Sequence, residues 1–341
     1  MIAPPVVVSP FAHILVLTDR FGTLEHAVGP QPRPGHGYCL DDVARVLLVA
    51  VREPDPSTEL RDLARSSLRF IADAQGVTGT FRNRRDEHGR WRGRRGVEDC
   101  WGRAMWALGV AAGRGEPWLR QDAKALFGHG SEQRSPHLRA MAFAALGAAS
   151  LLAIDPDHRP SRRILEDAAS AIGDAGDPDP TWPWPEPRLA YANAALPDAL
   201  VAAGAALDRP ALVERGLGLL DWLLERETRD GHLSVTPAAG AGPGDVAPGF
   251  AQQPIEVATM AEACARAFRL TGDERWADGL RMADAWFDGD NDLGVPMWDP
   301  ATGGSYDGLE ASGPNRNEGA ESSLALLATR QHARLLAQHT G

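Results

Sequence analysis

The feature that most constrains this chain is a pairing that recurs along it: a helix-period segment apolar on nearly every face, a brief turn, then a more amphipathic helical segment. The first member of most pairs is rich in alanine and leucine, as in "RAMWALGVAAG", "RAMAFAALGAASLLA", "YANAALPDALVAAGAAL", "VATMAEACARAF" and "ESSLALLATRQHARLL". A helix apolar all round is buried between layers, whereas one with a polar stripe lies outside. Strand-like alternation is scarce, so the chain reads as all-α. The periodicity predicts helices near 10–18, 40–52, 57–75, 98–114, 117–127, 135–154, 160–173, 189–207, 210–227, 254–271, 273–287 and 317–338. The turns "REPDPSTEL", "LDRPAL" and "TGDERW" carry helix-stop and helix-start residues, with Ser, Asp or Pro opening the next helix. Roughly six such hairpins, small helices inside and amphipathic ones outside, suit an (α/α)6 toroid, with residues 1–341 as one domain. A helical solenoid fits less well, because its repeats hold a more constant length and the loops here run up to the span from Arg229 to Gln253.

In a closed ring of hairpins the inner helices run the same way, and the loops that open them gather at one mouth. Those openings are "HGYCLDD", "GVEDCWGR", "GSEQRSPHLR", "TWPWPEPRLAYAN", "GFAQQPIE" and "YDGLEASGPNRNEGAES". They are dense in acids, amides and aromatics, whereas the turns at the other end carry acids but lack this density of Trp, Tyr, Asn and Gln. Such a rim suits a polyhydroxylated ligand, whose ring faces pack on aromatics and whose hydroxyls need amide and carboxylate partners. Tyr38, Trp101, Trp182, Trp184, Tyr191, Trp298 and Tyr306 are candidate platforms, and Asn193, Gln252, Gln253, Asn315 and Asn317 candidate amides. Trp106, and about half of these aromatics, are equally suited to packing in the core.

Carboxylates separate binding from catalysis. Glycoside hydrolysis uses two, about 5 Å apart for retention or roughly 6.5–9.5 Å for inversion, and one must hold a proton. The mouth offers Asp41, Asp42, Glu98, Asp99, Glu186, Glu256, Asp307, Glu310, Glu318 and Glu321. Asp41 is placed to cap the helix that follows it, which would leave Asp42 the freer to face a cavity. Glu98 and Asp99 pose the same choice. Glu318 and Glu321, at i and i+3, would share one helical face and raise each other's pKa, or else belong to a capping box.

Other chemistries find little support. The formal charge of -11, from 46 acidic and 35 basic residues, leaves no electrostatic footprint for nucleic acid. The Arg-rich stretch from Arg82 to Gly96 interleaves acids and glycines and reads as a solvated loop. Three scattered cysteines, Cys39, Cys100 and Cys264, argue against a disulfide framework or a zinc site and suit the cytoplasm. The N-terminal stretch has no basic region and is broken by Pro4, Pro5 and Pro10, so it is expected to be neither a secretion signal nor a membrane anchor, and no later run reaches the roughly 20 apolar residues that a membrane span needs. There is no GxGxxG after a strand, Walker A loop, HExxH or GxSxG, and no cofactor or metal is expected.

In order and over nearly the whole chain, the segments "HILVLTDRFGTLEHA", "HGYCLDDVAR", "EDCWGRAMWALG", "TWPWPEPRLAYANAALPDAL", "QQPIEVATMAEACARAF" and "TGGSYDGLEASGPNRNEGAESSLALLA" resemble a bacterial family of uncharacterised (α/α)6-toroid proteins. Its members are often labelled glycosyltransferase and are encoded near mannoside phosphorylases. No doubly wound nucleotide-sugar fold is visible here to go with that label. The resemblance implies a carbohydrate-active enzyme related in architecture to glucoamylases, unsaturated glucuronyl hydrolases and sugar 2-epimerases. Its motifs fall on His36, Tyr38, Asp41, Asp42 and Arg45; on Glu98, Asp99, Gly102 and Arg103; and on Trp182, Trp184, Glu186, Tyr191 and Asn193. They continue on Gln252, Gln253 and Pro254, then on Asp307, Gly308, Asn315, Asn317, Glu318, Gly319, Glu321 and Ser322. The chain departs from the pattern at Ala192 and Glu256, where Asp would be expected.

The expectation is therefore a glycoside hydrolase acting on a small or terminal sugar, with Asp42 and Glu256 as acid and base and Glu318 or Glu321 as alternates. Substrate would be held by His36, Tyr38, Asp41, Asp99, Arg103, Glu186, Tyr191, Asn193, Gln252, Gln253, Asp307 and Asn317, with Trp182 or Trp184 stacking on it. The alternatives are a sugar epimerase on the same ring, whose proton abstraction would call on histidines where the mouth has only His36 and His137, and a noncatalytic carbohydrate-binding module.

Overall fold

The small-residue helices form an inner layer. A computed structural model describes residues 9–173, 179, 181–245 and 249–340; the first eight residues, part of the stretch expected to be neither signal nor anchor, lie outside it. The helices are α1 (Ala12–Val16), α2 (Leu40–Arg52), α3 (Thr58–Ala74), α4 (Asp99–Arg114), α5 (Pro117–Gly130) and α6 (Leu138–Leu152). They continue with α7 (Arg159–Gly173), α8 (Ala195–Ala206), α9 (Pro210–Arg226), α10 (Pro254–Thr271), α11 (Glu274–Phe287) and α12 (Ala320–Thr340).

Helices α2, α4, α6, α8, α10 and α12 each pack on the next, and α12 returns to α2 to close the circle. Outside them α3, α5, α7, α9 and α11 each pack on the inner helix that precedes them, and α1 packs on α12. The two ends of the chain thus share the sixth hairpin. This is an all-α (α/α)6 toroid. Short turns within hairpins make each pair antiparallel, which puts every inner N-terminus at one rim. Between α4 and α6 the backbones touch: a Cβ on Gly109 would lie 2.1 Å from the carbonyl oxygen of Gly147, and one on Gly147 2.2 Å from that of Met105. Glycine is required at both positions, since the obstacle is backbone and cannot give way.

Three helix starts fall later than the periodicity suggests. Helix α8 begins at Ala195 because Leu189 pairs with Ala241 and Ala192 has φ of 48°, so 189–194 wraps as a loop. Helix α12 begins at Ala320 because Glu318 N–H donates to Gly29 O instead of entering a helix. Helix α6 begins at Leu138, where Ser135 Oγ accepts from His137 N–H. The strands are short antiparallel pairs and one three-stranded set, in which Tyr38–Cys39 pairs with Arg84–Arg85 and that with Trp91–Arg92. The Arg-rich stretch is therefore a hairpin over the rim. Among the described residues no helix is long and apolar enough to cross a membrane.

Away from the rim, the ring closes on buried charge. Arg52 from the end of α2 holds Glu262 of α10 with both guanidinium nitrogens, and His332 Nε2 of α12 lies 3.0 Å from Glu262 Oε2.

Candidate active site at the mouth of the ring

A cavity of about 390 Å³ opens at the rim where the inner helices begin. Helix α2 and its leading residue contribute Cys39, Asp41, Asp42 and Arg45, and α4 contributes Asp99 and Arg103. Tyr191 comes from the loop before α8, and Ala251 and Gln253 from the loop before α10. Asp307, Gly308, Glu310 and Asn315 belong to a hairpin arm before α12, which itself supplies Gly319, Glu321 and Ser322 around its start. Glu25 and His26 come from the loop after α1. Five of the six inner-helix openings meet here; that of α6 does not.

The seam between loop and helix at Asp41–Asp42 departs from the expected cap. The N-cap of α2 is Cys39, whose Sγ accepts from Asp42 N–H at 3.5 Å. Neither aspartate caps, and both line the cavity. Asp42 is 2% exposed; its Oδ1 accepts from Arg45 Nη1 at 2.6 Å and its Oδ2 from the Cys39 thiol at 3.0 Å. Arg45 Nη2 reaches Glu321 Oε2, also at 2.6 Å, so one guanidinium joins two carboxylates. Among the described residues Asp41 has no such partner, and its Oδ1 is buried without a hydrogen bond.

Burial pushes the Asp42 carboxyl up to about 7; Arg45 pulls it down, and the Glu321 and Glu25 carboxylates push it up again. Burial opposes the charge on Arg45 too, but Glu321, Asp42 and Asp41 outweigh it and raise its pKa. Both members of the ion pair are thus raised. Asp42 is raised because it is buried and shares a single guanidinium with a second acid. Burial also raises Asp99, with Arg103 acting against it, and raises Asp307, whose Oδ1 accepts from Gly319 N–H at 2.8 Å and Ser322 Oγ–H at 2.9 Å.

Donor atoms of Glu25, Cys39 and Asp42 lie within 4.8 Å of one another, the spacing of a metal site. Guanidinium groups already occupy these acids, Arg84 on Glu25 and Arg45 on Asp42, and burial holds Cys39 as a thiol well above its usual pKa. The donor set is one for arginine, and we assign no metal to it.

Several expected site residues turn out to hold the rim together. Glu256, expected as the partner of Asp42, does not line the cavity: its carboxylate accepts from the N–H of Ala192, and from the N–H and Nδ2 of Asn193 at 3.2 Å each. Burial, with help from Glu227, raises it to about 8. Glu318 also lies away from the cavity, its Oε2 accepting from Thr302 Oγ1–H at 2.7 Å and lying 3.5 Å from His13 Nδ1. Because α12 starts after Glu318, the shared helical face expected for Glu318 and Glu321 does not exist, and the two acids point to different partners. Trp182 and Trp184 are buried against Trp222, at 5.1 and 5.8 Å between ring centres, which leaves them no face for a sugar.

The remaining expected binders also divide. Glu186 accepts from Arg139 Nη1 at 2.7 Å, and Asn193 Oδ1 accepts from Ala190 N–H at 3.0 Å and Arg139 Nη2 at 3.1 Å. Gln252 Nε2 donates to Asp292 Oδ2 at 2.6 Å, and Asn317 Oδ1 accepts from Gly29 N–H at 3.1 Å. Tyr38 is buried with its hydroxyl on Asp19 at 2.7 Å, and His36 is exposed beside the cavity's His26, rings 5.0 Å apart. Asp41, Asp99, Arg103, Tyr191, Gln253 and Asp307 do line the cavity, with Asp42 and Glu321. Nothing in the helix pattern marks Glu25 and His26, because their loop does not open an inner helix; the acid and imidazole within "TLEHA" are the available signal.

Truncating Glu256 to alanine is expected to lower thermal stability, since it leaves the N–H groups of Ala192 and Asn193 without an acceptor, at about 1–3 kcal/mol for each buried group left unpaired, and Asn193 Nδ2 with only Ala190 O. A thermal melt checks this; an unchanged midpoint would show that the loop carrying Tyr191 is held some other way.

No family model matches the chain, and no curated protein does. Solved structures do match in fold. A sugar epimerase from a ruminal bacterium superposes with a TM-score of 0.73 at 14% identity, over 96% of this chain and 95% of that one. Cellobiose 2-epimerase from Spirochaeta thermophila DSM 6192 gives 0.69 at 13% identity, over 96% and 94%. An α-1,6-mannanase from Salegentibacter sp. HEL1_6 gives 0.63 at 12%, over 96% and 97%. An inactive variant of that mannanase, solved with α-1,6-mannotetrose, has alanine in place of two consecutive aspartates.

Proposed function

We propose that this chain is a carbohydrate-active enzyme, a glycoside hydrolase that cleaves a small or terminal sugar unit by carboxylate acid–base catalysis. The observation that carries the reading is the Asp41–Asp42 seam: a buried carboxyl whose pKa reaches about 7 adjoins one with an unpaired oxygen in the same cavity. Asp42 keeps a proton near neutrality and gives it to the leaving-group oxygen. Asp41, as the carboxylate base, takes a proton from the water whose oxygen bonds to the anomeric carbon as the bond to the leaving group breaks. Arg45 orients Asp42 and Glu321 together. In support, fold neighbours bear the names of sugar-processing enzymes, and in one of them a variant lacking two consecutive aspartates is inactive.

Epimerisation is the second reading, favoured by His26 in the cavity wall and by the epimerases of like fold. Proton abstraction next to a carbonyl suits an imidazole base. One histidine among seven lining acids (Glu25, Asp41, Asp42, Asp99, Asp307, Glu310, Glu321) makes hydrolysis the better match. Incubation with reducing disaccharides of mannose and glucose, followed by NMR of the anomeric protons, separates the two. Hydrolysis releases monosaccharides. A new disaccharide without monosaccharide would replace this reading by epimerisation, and binding without any change would leave a noncatalytic module.

A further inference from the structure

Arg103 is 3% exposed, lies in the cavity wall, and among the described residues has no carboxylate within ion-pair distance. Its guanidinium sits 4.1 Å over the Phe143 ring, and Nη2 is buried without any hydrogen bond. Burial, and Arg45 nearby, bring its pKa down to about 10, so it stays charged at neutral pH. A buried cation without a hydrogen-bonded partner is costly. Its cost is borne in the free protein at a wall where a ligand would sit, and such a donor asks for an oxygen. The same wall holds an acceptor, the Asp41 carboxylate, for which no hydrogen bond forms among the described residues.

An anionic oxygen would answer Arg103 most strongly, but the rest of the cavity forbids it. Seven acids line it (Glu25, Asp41, Asp42, Asp99, Asp307, Glu310, Glu321) against Arg45, Arg103 and His26, and Arg45 is already engaged by Asp42 and Glu321. A phosphate or uronate would face like charges on most sides. A neutral hydroxyl fits, because it accepts from Arg103 and donates to Asp41 at once, whereas an anion can only accept.

We propose that the Arg103 guanidinium and the Asp41 carboxylate are a donor–acceptor couple reading a hydroxyl arrangement of a neutral sugar, and that the cavity excludes sugar phosphates and uronates. The inference rests on the reading of this cavity as a sugar site and adds the class of sugar and the residue that selects it. Substrate is then unphosphorylated and uncharged where it enters the ring. A site built around such a hydroxyl rejects the analogue lacking it by about 10⁴–10⁵-fold in favourable cases.

The test is calorimetric and NMR binding of methyl mannoside, methyl glucoside and methyl arabinoside, their monodeoxy analogues, and mannose 6-phosphate, glucose 6-phosphate and glucuronate. In the unaltered protein, binding is expected to fall at least 100-fold for one deoxy position, and the three anions are expected not to compete. In Arg103→Met, which retains the bulk over Phe143, that deoxy penalty shrinks to a few-fold. The variant melts no lower than the parent, because an unpaired buried charge has gone. A uniform deoxy profile, a penalty unchanged in Arg103→Met, or tight binding of the phosphates overturns the inference while leaving a sugar site in place. If no sugar of the panel binds, both this inference and the proposed function fall.

Discussion

Replacing Asp41 by asparagine is expected to cut kcat/KM by about 10²–10⁴-fold, the usual worth of a positioned acid–base group, without lowering the melting temperature. Among the described residues the side chain makes no hydrogen bond, and it lines the cavity, so the substitution removes chemistry and leaves packing alone. Asp42→Asn tests the other half of the seam. Because burial places the Asp42 carboxyl near 7, activity requiring its proton falls as pH rises through about 7, and this basic limb disappears in the variant. Rate–pH profiles of both variants on the sugar that is turned over provide the check. Full activity in Asp41→Asn, or an unchanged basic limb in Asp42→Asn, removes the seam from the mechanism.

The largest expected effect on stability lies at the far end of the ring. Glu262→Gln is expected to cost about 3–5 kcal/mol, the penalty for breaking a buried ion pair, because Arg52 keeps its charge beside His332 with nothing to balance it. Acidification should reproduce part of that loss. Burial works against the Glu262 charge, but Arg52 and His332 hold its pKa well below the usual value; His332 is itself lowered, chiefly by burial. A group depressed in the folded state binds its proton more readily when unfolded, so each contributes stability that is complete above its unfolded pKa and disappears as pH falls through the folded one. The decline therefore begins near the unfolded histidine pKa of about 6.5 and steepens below the unfolded glutamate value of about 4.3. Urea titrations from pH 8 to 4 measure it. A Glu262→Gln protein as stable as the parent, or a parent indifferent to pH across this window, contradicts the role given to this cluster.

The helices were legible because their evidence is local. The boundaries of α2, α4, α9, α10 and α11 follow from period and turn chemistry within a residue or so, since propensity and burial agree there. The starts of α8 and α12 escaped because partners far along the chain hold the preceding residues: Ala241 pairs with Leu189, and Gly29 O takes the N–H of Glu318. The misplaced acids share this cause. Glu256 looks free in "QQPIEV" until Ala192 and Asn193, more than sixty residues earlier, present three donors to it. Cysteine is an unusual N-cap, so nothing local announced that Cys39 would take the position expected of Asp41.

Amino-acid order alone determined the ring and the end at which its polar segments would collect, because small apolar helices alternate with amphipathic ones and short turns force each pair antiparallel. It listed the acids of the mouth without sorting them. Only the tertiary structure decided that Asp41 keeps an unpaired oxygen, that Arg45 ties Asp42 to Glu321, and that Glu256, Glu318, Trp182 and Trp184 brace the rim instead of facing the cavity. The physical reason is that a carboxylate goes wherever its hydrogen-bond partners are, and around this ring those partners arrive from distant turns of the chain.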